Sequence, residues 1–495
     1  MQRWSDTPAS KRRLLFIHGV WLAAILALSL KLVAVMACLR LGRGMESNLH
    51  GERWRIDMEH FRTQVVADGR GVIRFRDGTP WLPANRPVRK RGVALAPELV
   101  GRVGKPDVWP NPQLAVPEEG RGGLEQAFDA VLRSRRPAMI GHLDMADGRP
   151  NPLSGYAGGY GLLPRRGADV VTTLDAHMQM QAEKILRDRG VRHASIVEID
   201  LHHRDALVVA SAAHGVQSDA LTAIAPGSVF KLVVAAEALE THVTRAQEMF
   251  SCDGLAHLPH VAMHCWRVHG VVSLVDAIAQ SCDVTFAELG VRLGQTAIEK
   301  AASRFGLLTT GLAALSGSQG IVPEAAHGIV FRRNGDDPGL LANTAIGQED
   351  VRMTPLAGAL LAATVASGGE YRPARLVLGW RAGQHWVSVA APPAKRACDR
   401  YAAGVIGQAM WQAVHDPHGT LYALHTFAIA AKSGTAELGG GRVNAWIVGY
   451  RMTGGHPSAA FAITVHDEPS AKAHRDVLAI AKAWLASPAS VMMNA

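Results

Sequence analysis

The sequence predicts an α+β fold, with an antiparallel sheet assembled from the two ends of the C-terminal domain and a long helical insert between them. Three observations carry this. Ala194 to Asp200 and Ala206 to Ser211 are apolar, partly β-branched runs on either side of the polar His202-His-Arg-Asp205, which is a hairpin pattern. From Lys231 the chain turns to Leu, Val, Ala and Glu and opens a long, largely helical region. Thr426 to Lys432, Val443 to Tyr450 and Ala459 to His466 then read as strands, with a turn at Gly439-Gly-Gly441 and a closing helix from Ser470 to Leu485. That order puts the first and last elements of the domain in one sheet.

Ahead of this domain, Leu14 to Leu39 is apolar except for His18 and Lys31. At about 1.5 Å per residue it is long enough to cross a hydrocarbon core of about 30 Å, and Lys31 can snorkel. Lys11, Arg12 and Arg13 precede it, so residues 1–13 are predicted to stay in the cytoplasm, with 14–39 as a single-pass anchor and the bulk of the chain outside. Val35-Met-Ala-Cys38 faintly resembles a lipoprotein processing site, which keeps cleavage or lipidation open beside an uncleaved anchor. Residues 40–150 mix short strand-like runs with turns such as Trp109-Pro-Asn-Pro112 and one amphipathic helix at Leu124 to Leu132. This suits a small pedestal. The Pro- and Gly-rich stretch at 151–168 is the expected linker, and 169–495 the catalytic domain.

At 495 residues and 48% hydrophobic, the chain can bury large cores. Its net charge of +9 is spread along the sequence, with no basic block interleaved with aromatics, so a nucleic-acid partner is not predicted. The basic excess reads as solvated surface, with anionic lipid near the N-terminus as a second use.

Chemistry concentrates at Pro226-Gly-Ser-Val-Phe-Lys231, where the chain leaves a loop for a helix. Ser228 is expected in the first helical turn. At spacing i, i+3, Ser228 and Lys231 share a face, so a buried, neutral amine could take the hydroxyl proton and make the oxygen a nucleophile. Ser-x-x-Lys alone is a weak signal. Further on come Ser281-Cys282-Asp283 and Lys432-Ser433-Gly434-Thr435.

Taken in this order, the three motifs resemble the signature of serine β-lactamases and penicillin-binding proteins, and within them the class B, monofunctional penicillin-binding proteins. The resemblance extends to Thr172-Thr-Leu-Asp175, Gly347-Gln348 with Met353-Thr-Pro-Leu356, Ser367-Gly-Gly369 and Asn444-Ala-Trp446, and more faintly to Arg70-Gly-Val-Ile73 and Gly123-Leu-Glu125. It implies a penicillin-binding transpeptidase fold behind a transmembrane helix and a pedestal. The implied activity is a peptidoglycan DD-transpeptidase at the plasma membrane, with the catalytic domain outside, acting on D-Ala-D-Ala stem peptides and inhibited by β-lactams. A membrane-embedded glycan polymerase is the implied partner, and no cofactor is implied.

By the same resemblance, Ser228 is the nucleophile, Lys231 the general base and Ser281 a proton relay. Lys432, Ser433 and Thr435 hold the substrate carboxylate, Gly434 lets the substrate strand approach, and the amides of Ser228 and Thr435 form the oxyanion hole. Burial and the nearby Lys432 are expected to lower the pKa of Lys231. The second motif usually ends in Asn, and Asp283 departs from this: an ionised carboxylate cannot donate a hydrogen bond and favours the ammonium form of Lys231. That keeps a non-catalytic scaffold for a polymerase open, and the shared fold keeps a DD-carboxypeptidase or β-lactamase open beside it.

Cys252 and Cys265 bracket His257, His260 and His264, with His269 just beyond. A Cys252–Cys265 disulfide leads here, with free thiols and a zinc site as alternatives. Cys282 is read as a small buried side chain, His202-His203 as an exposed turn, Glu437 as structural and Trp446 as core or cleft floor.

Overall fold

Five antiparallel strands form the central sheet of the computed structural model. The structure describes residues 166–212, 218–258, 263–312, 325–333, 335 and 337–487, with shorter stretches at 25–27, 29–30, 45–49, 52–56, 61–67, 69–83, 95–106, 118–134 and 138–143. In chain order, the elements that position the site are α1 (Ala176–Arg189), β1 (Ala194–Asp200), β2 (Ala206–Ser211), α2 (Lys231–Glu240), β3 (Met249–Cys252), β4 (Gly270–Ser273), α3 (Leu274–Ala279) and α4 (Asp283–Arg304). They continue with α5 (Pro355–Ala366), α6 (Arg400–His415), β5 (Ile429–Gly439), β6 (Arg442–Thr453), β7 (His456–Pro469) and α7 (Ser470–Leu485). The sheet order is β2-β1-β7-β6-β5, so the two ends of the domain meet at β1 and β7 and the expected arrangement holds.

Both faces of this sheet are covered. Ile196 and Ile463 pack with α1 and α7, whereas Val197, Ala462 and Val448 pack with α2, α4 and α5. Successive side chains go to opposite faces, which is why β1 and β2 read as continuous rather than alternating apolar runs. Helix α5 is buried from Pro355 through Val365 and is the central helix of the insert. Its start is set locally, since the Thr354 side chain accepts from the Ala357 amide and Pro355 occupies the first turn. Asp175 caps α1 in the same way, and Ser273 with Asp276 forms a capping box on α3.

The chain divides into two units, Arg70–Gly104 with Glu119–Arg133 and Gly167–Ala495, and Met1–Gly69 with Lys105–Glu118 and Ser134–Arg166. The stretches 70–104 and 119–133, read above as pedestal, thus pack with the catalytic residues. Ile73–Arg74 runs parallel to Asp169–Thr172 in a second five-stranded sheet, and Arg70 reaches both Glu125 and Asp129. The helix expected at Leu124 to Leu132 is broken at Phe128 into Gly123–Ala127 and Asp129–Leu132. In the other unit, Phe61–Ala67 pairs with Ala138–Leu143 and Met45–Leu49 with Glu52–Ile56. Nearly all of the expected anchor, Trp109 to Pro112 and nearly all of the linker lie outside the described residues. Among the described residues no helix is long and apolar enough to cross a membrane.

Candidate active site

Ser228 sits on a 3₁₀ turn, Gly227–Val229, immediately before α2, rather than inside the helix as expected. The turn is held from two sides. The Gly227 amide donates to the Gly347 carbonyl at 3.0 Å, and Gly227 adopts φ 55° with no room for a side chain, since a Cβ would lie 2.1 Å from the Thr435 carbonyl oxygen. Gly434 has a matching reason: a Cβ there would lie 2.4 Å from the Pro226 oxygen and 2.8 Å from Val229. Its missing side chain therefore makes room for the Ser228 turn against β5, a requirement distinct from the substrate approach the resemblance implied.

Lys231 and Lys432 are both fully buried and meet at Ser281. Lys231 Nζ donates to the Ser281 carbonyl at 3.0 Å, to Ser281 Oγ at 3.3 Å and to Asp283 at 2.7 Å, and Lys432 Nζ donates to Ser281 Oγ at 3.0 Å and to the Ser433 carbonyl at 2.8 Å. Ser281 thus bridges the two amines. Among the described residues Ser228 and Lys231 make no direct hydrogen bond, and the Lys231 amine is engaged by Ser281 and Asp283 instead. Burial first, and then the neighbouring Lys231, push the Lys432 amine well below its ordinary value, with the Asp283 carboxylate opposing. Asp283 opens α4, where the helix dipole favours a carboxylate, and its ion pair with Lys231 is largely out of water.

The second motif is braced from below. Ser281 has φ 60°, a left-handed conformation costing about 1–2 kcal/mol outside glycine, so its surroundings must impose it. They do so through the excursion between β3 and β4. Cys265 Sγ accepts from the Asp283 amide at 3.2 Å, Trp266 Nε1 donates to the Ser281 carbonyl at 3.3 Å, and His269 Nε2 contacts the Gln280 carbonyl at 3.2 Å.

The cysteines are free thiols in this structure, and the leading disulfide reading gives way to a four-donor cluster. The donor atoms of Cys252, Cys265, His269 and Cys282 all lie within 4.8 Å of one another, with His269 Nδ1 at 3.5 Å from both Cys252 and Cys265. Hydrogen bonding with Cys282 draws the Cys265 thiol down, while the same contact pushes Cys282 up. Three sulfurs and one imidazole at this spacing have the donor chemistry of a tetrahedral structural zinc site. His257 lies apart, hydrogen-bonded to Asp253, and His260 lies outside the described residues.

The third motif lies within β5, the edge strand, and lines a cleft of about 1240 Å³ together with Ser228, Ser281 and Asp283. Both of its hydroxyls already have partners that no motif announced: Ser433 Oγ donates to Thr420 Oγ1 at 2.8 Å, and Thr435 Oγ1 lies 2.8 Å from His474 Nε2 on α7. Thr420, His474 and Trp266 are cleft residues that sequence reasoning missed. Each is a single residue far from the motif it touches, so spacing carries no signal for it. Trp446 is core, 1% exposed and donating from Nε1 to the Ala225 carbonyl at 3.0 Å, and it also reaches the cleft floor. Glu437 is exposed on the cleft rim, and His202-His203 form an exposed turn as expected.

A serine on a tight turn, two buried lysines joined through a second serine, and a Lys-Ser-Gly-Thr edge strand define the class of active-site-serine proteins built on this α+β sheet. The chain belongs to the penicillin binding protein transpeptidase domain family, which matches residues 197–486. It is 28% identical over 413 residues to the peptidoglycan D,D-transpeptidase PbpA of Mycolicibacterium smegmatis, covering 73% of this chain and 79% of the relative. It is 27% identical to PbpA of Mycobacterium tuberculosis over 303 residues, 53% of this chain and 58% of that protein's length. Among solved structures it resembles Pseudomonas aeruginosa PBP2 in complex with WCK 5153, with TM-score 0.66, 24% identity and coverage of 86% and 97%. A chain from a peptidoglycan synthase complex that coordinates polymerization and crosslinking gives TM-score 0.60, 24% identity and coverage of 75% and 71%.

Proposed function

We propose that this protein is a peptidoglycan DD-transpeptidase that cross-links stem peptides through an acyl-enzyme on Ser228. The observation that carries the reading is that Ser228, Ser281 and Asp283 line one cleft edged by Ser433, Gly434 and Thr435, with the buried Lys231 and Lys432 joined to it through Ser281. The Ser228 oxygen attacks the carbonyl of the penultimate D-alanine, the peptide bond to the terminal D-alanine breaks, and the hydroxyl proton passes to the departing amine. Lys231 takes that proton and Ser281, bonded to both amines, relays it. An acceptor amine then attacks the ester, forming the new peptide bond and freeing Ser228. The amides of Ser228 and Thr435 serve the developing oxyanion, and the Thr435 hydroxyl receives the terminal carboxylate, with Ser433, whose own hydrogen goes to Thr420, and the buried Lys432 behind it. A β-lactam enters the same route at its strained amide. Supported by the apolar run at 14–39 and the likeness to a synthase-complex chain, the protein is anchored once in the plasma membrane, cytoplasmic at its N-terminus, and works beside a membrane glycan polymerase.

Labelling of the detergent-solubilised protein with a fluorescent penicillin tests this. Stable labelling that disappears in Ser228→Ala is the expected result. Rapid release of the label points to a β-lactamase, and absence of label on the folded protein to a scaffold whose Lys231 is held by Asp283.

A further inference from the structure

Thr435 Oγ1 is 2.8 Å from His474 Nε2, and His474 Nδ1 is 3.5 Å from Ser470 Oγ, so the imidazole stands between the third motif and the first turn of α7. His474 is exposed and lines the cleft that holds Ser228 and Thr435. A threonine hydroxyl has one proton. If Nε2 is bare, it takes that proton, and Thr435 turns only lone pairs toward an incoming carboxylate. If Nε2 carries a hydrogen, it donates to Thr435, whose own proton is then free to bind the carboxylate. We infer that His474 is a positioning residue for the carboxylate terminus of the acyl donor, setting whether Thr435 meets that group with a hydrogen or with a lone pair.

Two further observations give this weight. The second hydroxyl of the motif, on Ser433, is already donated to Thr420, so Thr435 is the hydroxyl whose direction is open. Lys432, the motif's own cation, is pushed down by burial and by Lys231, which leaves part of the anion's charge to be met from elsewhere. An imidazolium at His474 supplies it. The other charged groups around His474 are Glu437 on β5, Glu468 at the end of β7, and Lys472, Arg475 and Asp476 on α7. Lys472 lies 3.0 Å from both Glu468 and Asp476, and Asp476 also pairs with Arg475 and with Arg189 of α1. The same cleft is also lined by Asp283, His264, Glu349 and Arg352. Glu437 is an exposed carboxylate on the same cleft rim.

This rests on the acyl-transfer reading, and the test keeps the two apart. The full-length protein in detergent is acylated by a penicillin and by the methyl ester of the same penicillin across the histidine range, about pH 5.5 to 8.5, with the binding constant separated from the acylation rate constant by saturation kinetics. Wild-type binding of the acid is expected to weaken about tenfold as pH rises, with the ester unchanged; His474→Ala loses about tenfold for the acid alone. His474→Gln, whose amide donates at any pH, is expected to restore binding of the acid and flatten its pH dependence. Equal losses for acid and ester, or a His474→Gln profile that follows the wild type, would overturn the proposal while Ser228 labelling still stands. Failure of the wild type to acylate with either compound removes the acyl-transfer reading and this inference with it. A folding defect in His474→Ala is bypassed by measuring thermal protection by the acid and the ester in Ser228→Ala with and without His474→Gln, where the same acid-only, pH-dependent difference is required.

Discussion

A carboxylate at Asp283 acts on both lysines of the site. It pairs with Lys231 at 2.7 Å, and it works against the burial that pushes Lys432 down. Asp283→Asn removes the charge and keeps a hydrogen-bonding side chain. Without that carboxylate the Lys432 amine falls further, so its neutral form persists to lower pH. The alkaline limb of penicillin acylation, where the Lys432 ammonium behind the carboxylate site is lost, is therefore expected to move to lower pH in Asp283→Asn, measured as the second-order labelling rate against pH. An unmoved profile would show that Lys432 stands outside the titrating chain. Asp283→Ala should be worse, because it leaves Lys231 buried without its ion partner, a loss of about 3–5 kcal/mol for a buried pair. At this scale the sequence named every member of the Ser228–Lys231–Ser281–Asp283–Lys432 set. It could not show that Lys231 spends its hydrogen bonds on Ser281 and Asp283, since side chains 50 and 52 residues apart meet only through packing.

At the scale of elements, the Ser228 turn is shaped by the strand it rests on. Gly434→Ala places a Cβ against the Pro226 carbonyl, an obstacle made of backbone that cannot rotate away. Labelling of Ser228 is expected to fall by about 100-fold, of the order of 3 kcal/mol on the barrier, while the far-ultraviolet circular dichroism stays that of the wild type. The β3–β4 excursion supports the second motif in the same sense. Its Cys252, Cys265, His269 and Cys282 donors suit zinc, and Cys282 lies between Ser281 and Asp283. Protein purified without chelator is expected to carry about one zinc per chain by elemental analysis. Cys252→Ser with Cys265→Ser should lose the metal, lower the melting temperature and slow acylation together; a metal-free wild type with unchanged acylation would reduce the cluster to packed thiols. The strands and closing helix were legible because apolar β-branched runs, helix-favouring composition and glycine turns are local signals. The cysteine cluster was not, because a list of cysteines and histidines holds no distances, and a pair was read where four donors meet.

For the whole molecule, the central sheet joins the hairpin of β1 and β2 to the C-terminal strands, with one core on each face. The closing helix is tied to it by a buried carboxylate: Glu198 on β1 accepts from Trp484 Nε1 of α7 at 2.5 Å and from Arg451 of β6 at 3.0 Å. His474 is thus carried on an element fixed at both ends of the domain. The membrane prediction belongs at this scale too. The full-length protein should sediment with membranes, resist extraction by high salt and be released by detergent, whereas a chain lacking residues 1–44 should be soluble and still label at Ser228. Salt release of the full-length protein would place it at the surface and end the anchor reading.

By itself the sequence determined the α+β class, the strand and helix order of the catalytic domain, the three motifs and the apolar N-terminal run. Each of these is written in residues close together in the chain, as apolar runs, helix-favouring composition or short spacing. Only the tertiary structure decided that 70–104 and 119–133 pack with the catalytic residues, that Ser281 bridges two buried amines, that Gly434 makes room for the serine's own turn, and that His474 and Thr420 hold the hydroxyls of the third motif. Those facts are distances between groups far apart along the chain, 151 residues for Lys432 and Ser281, and such distances exist only once the sheet has closed and the cores on its two faces have packed.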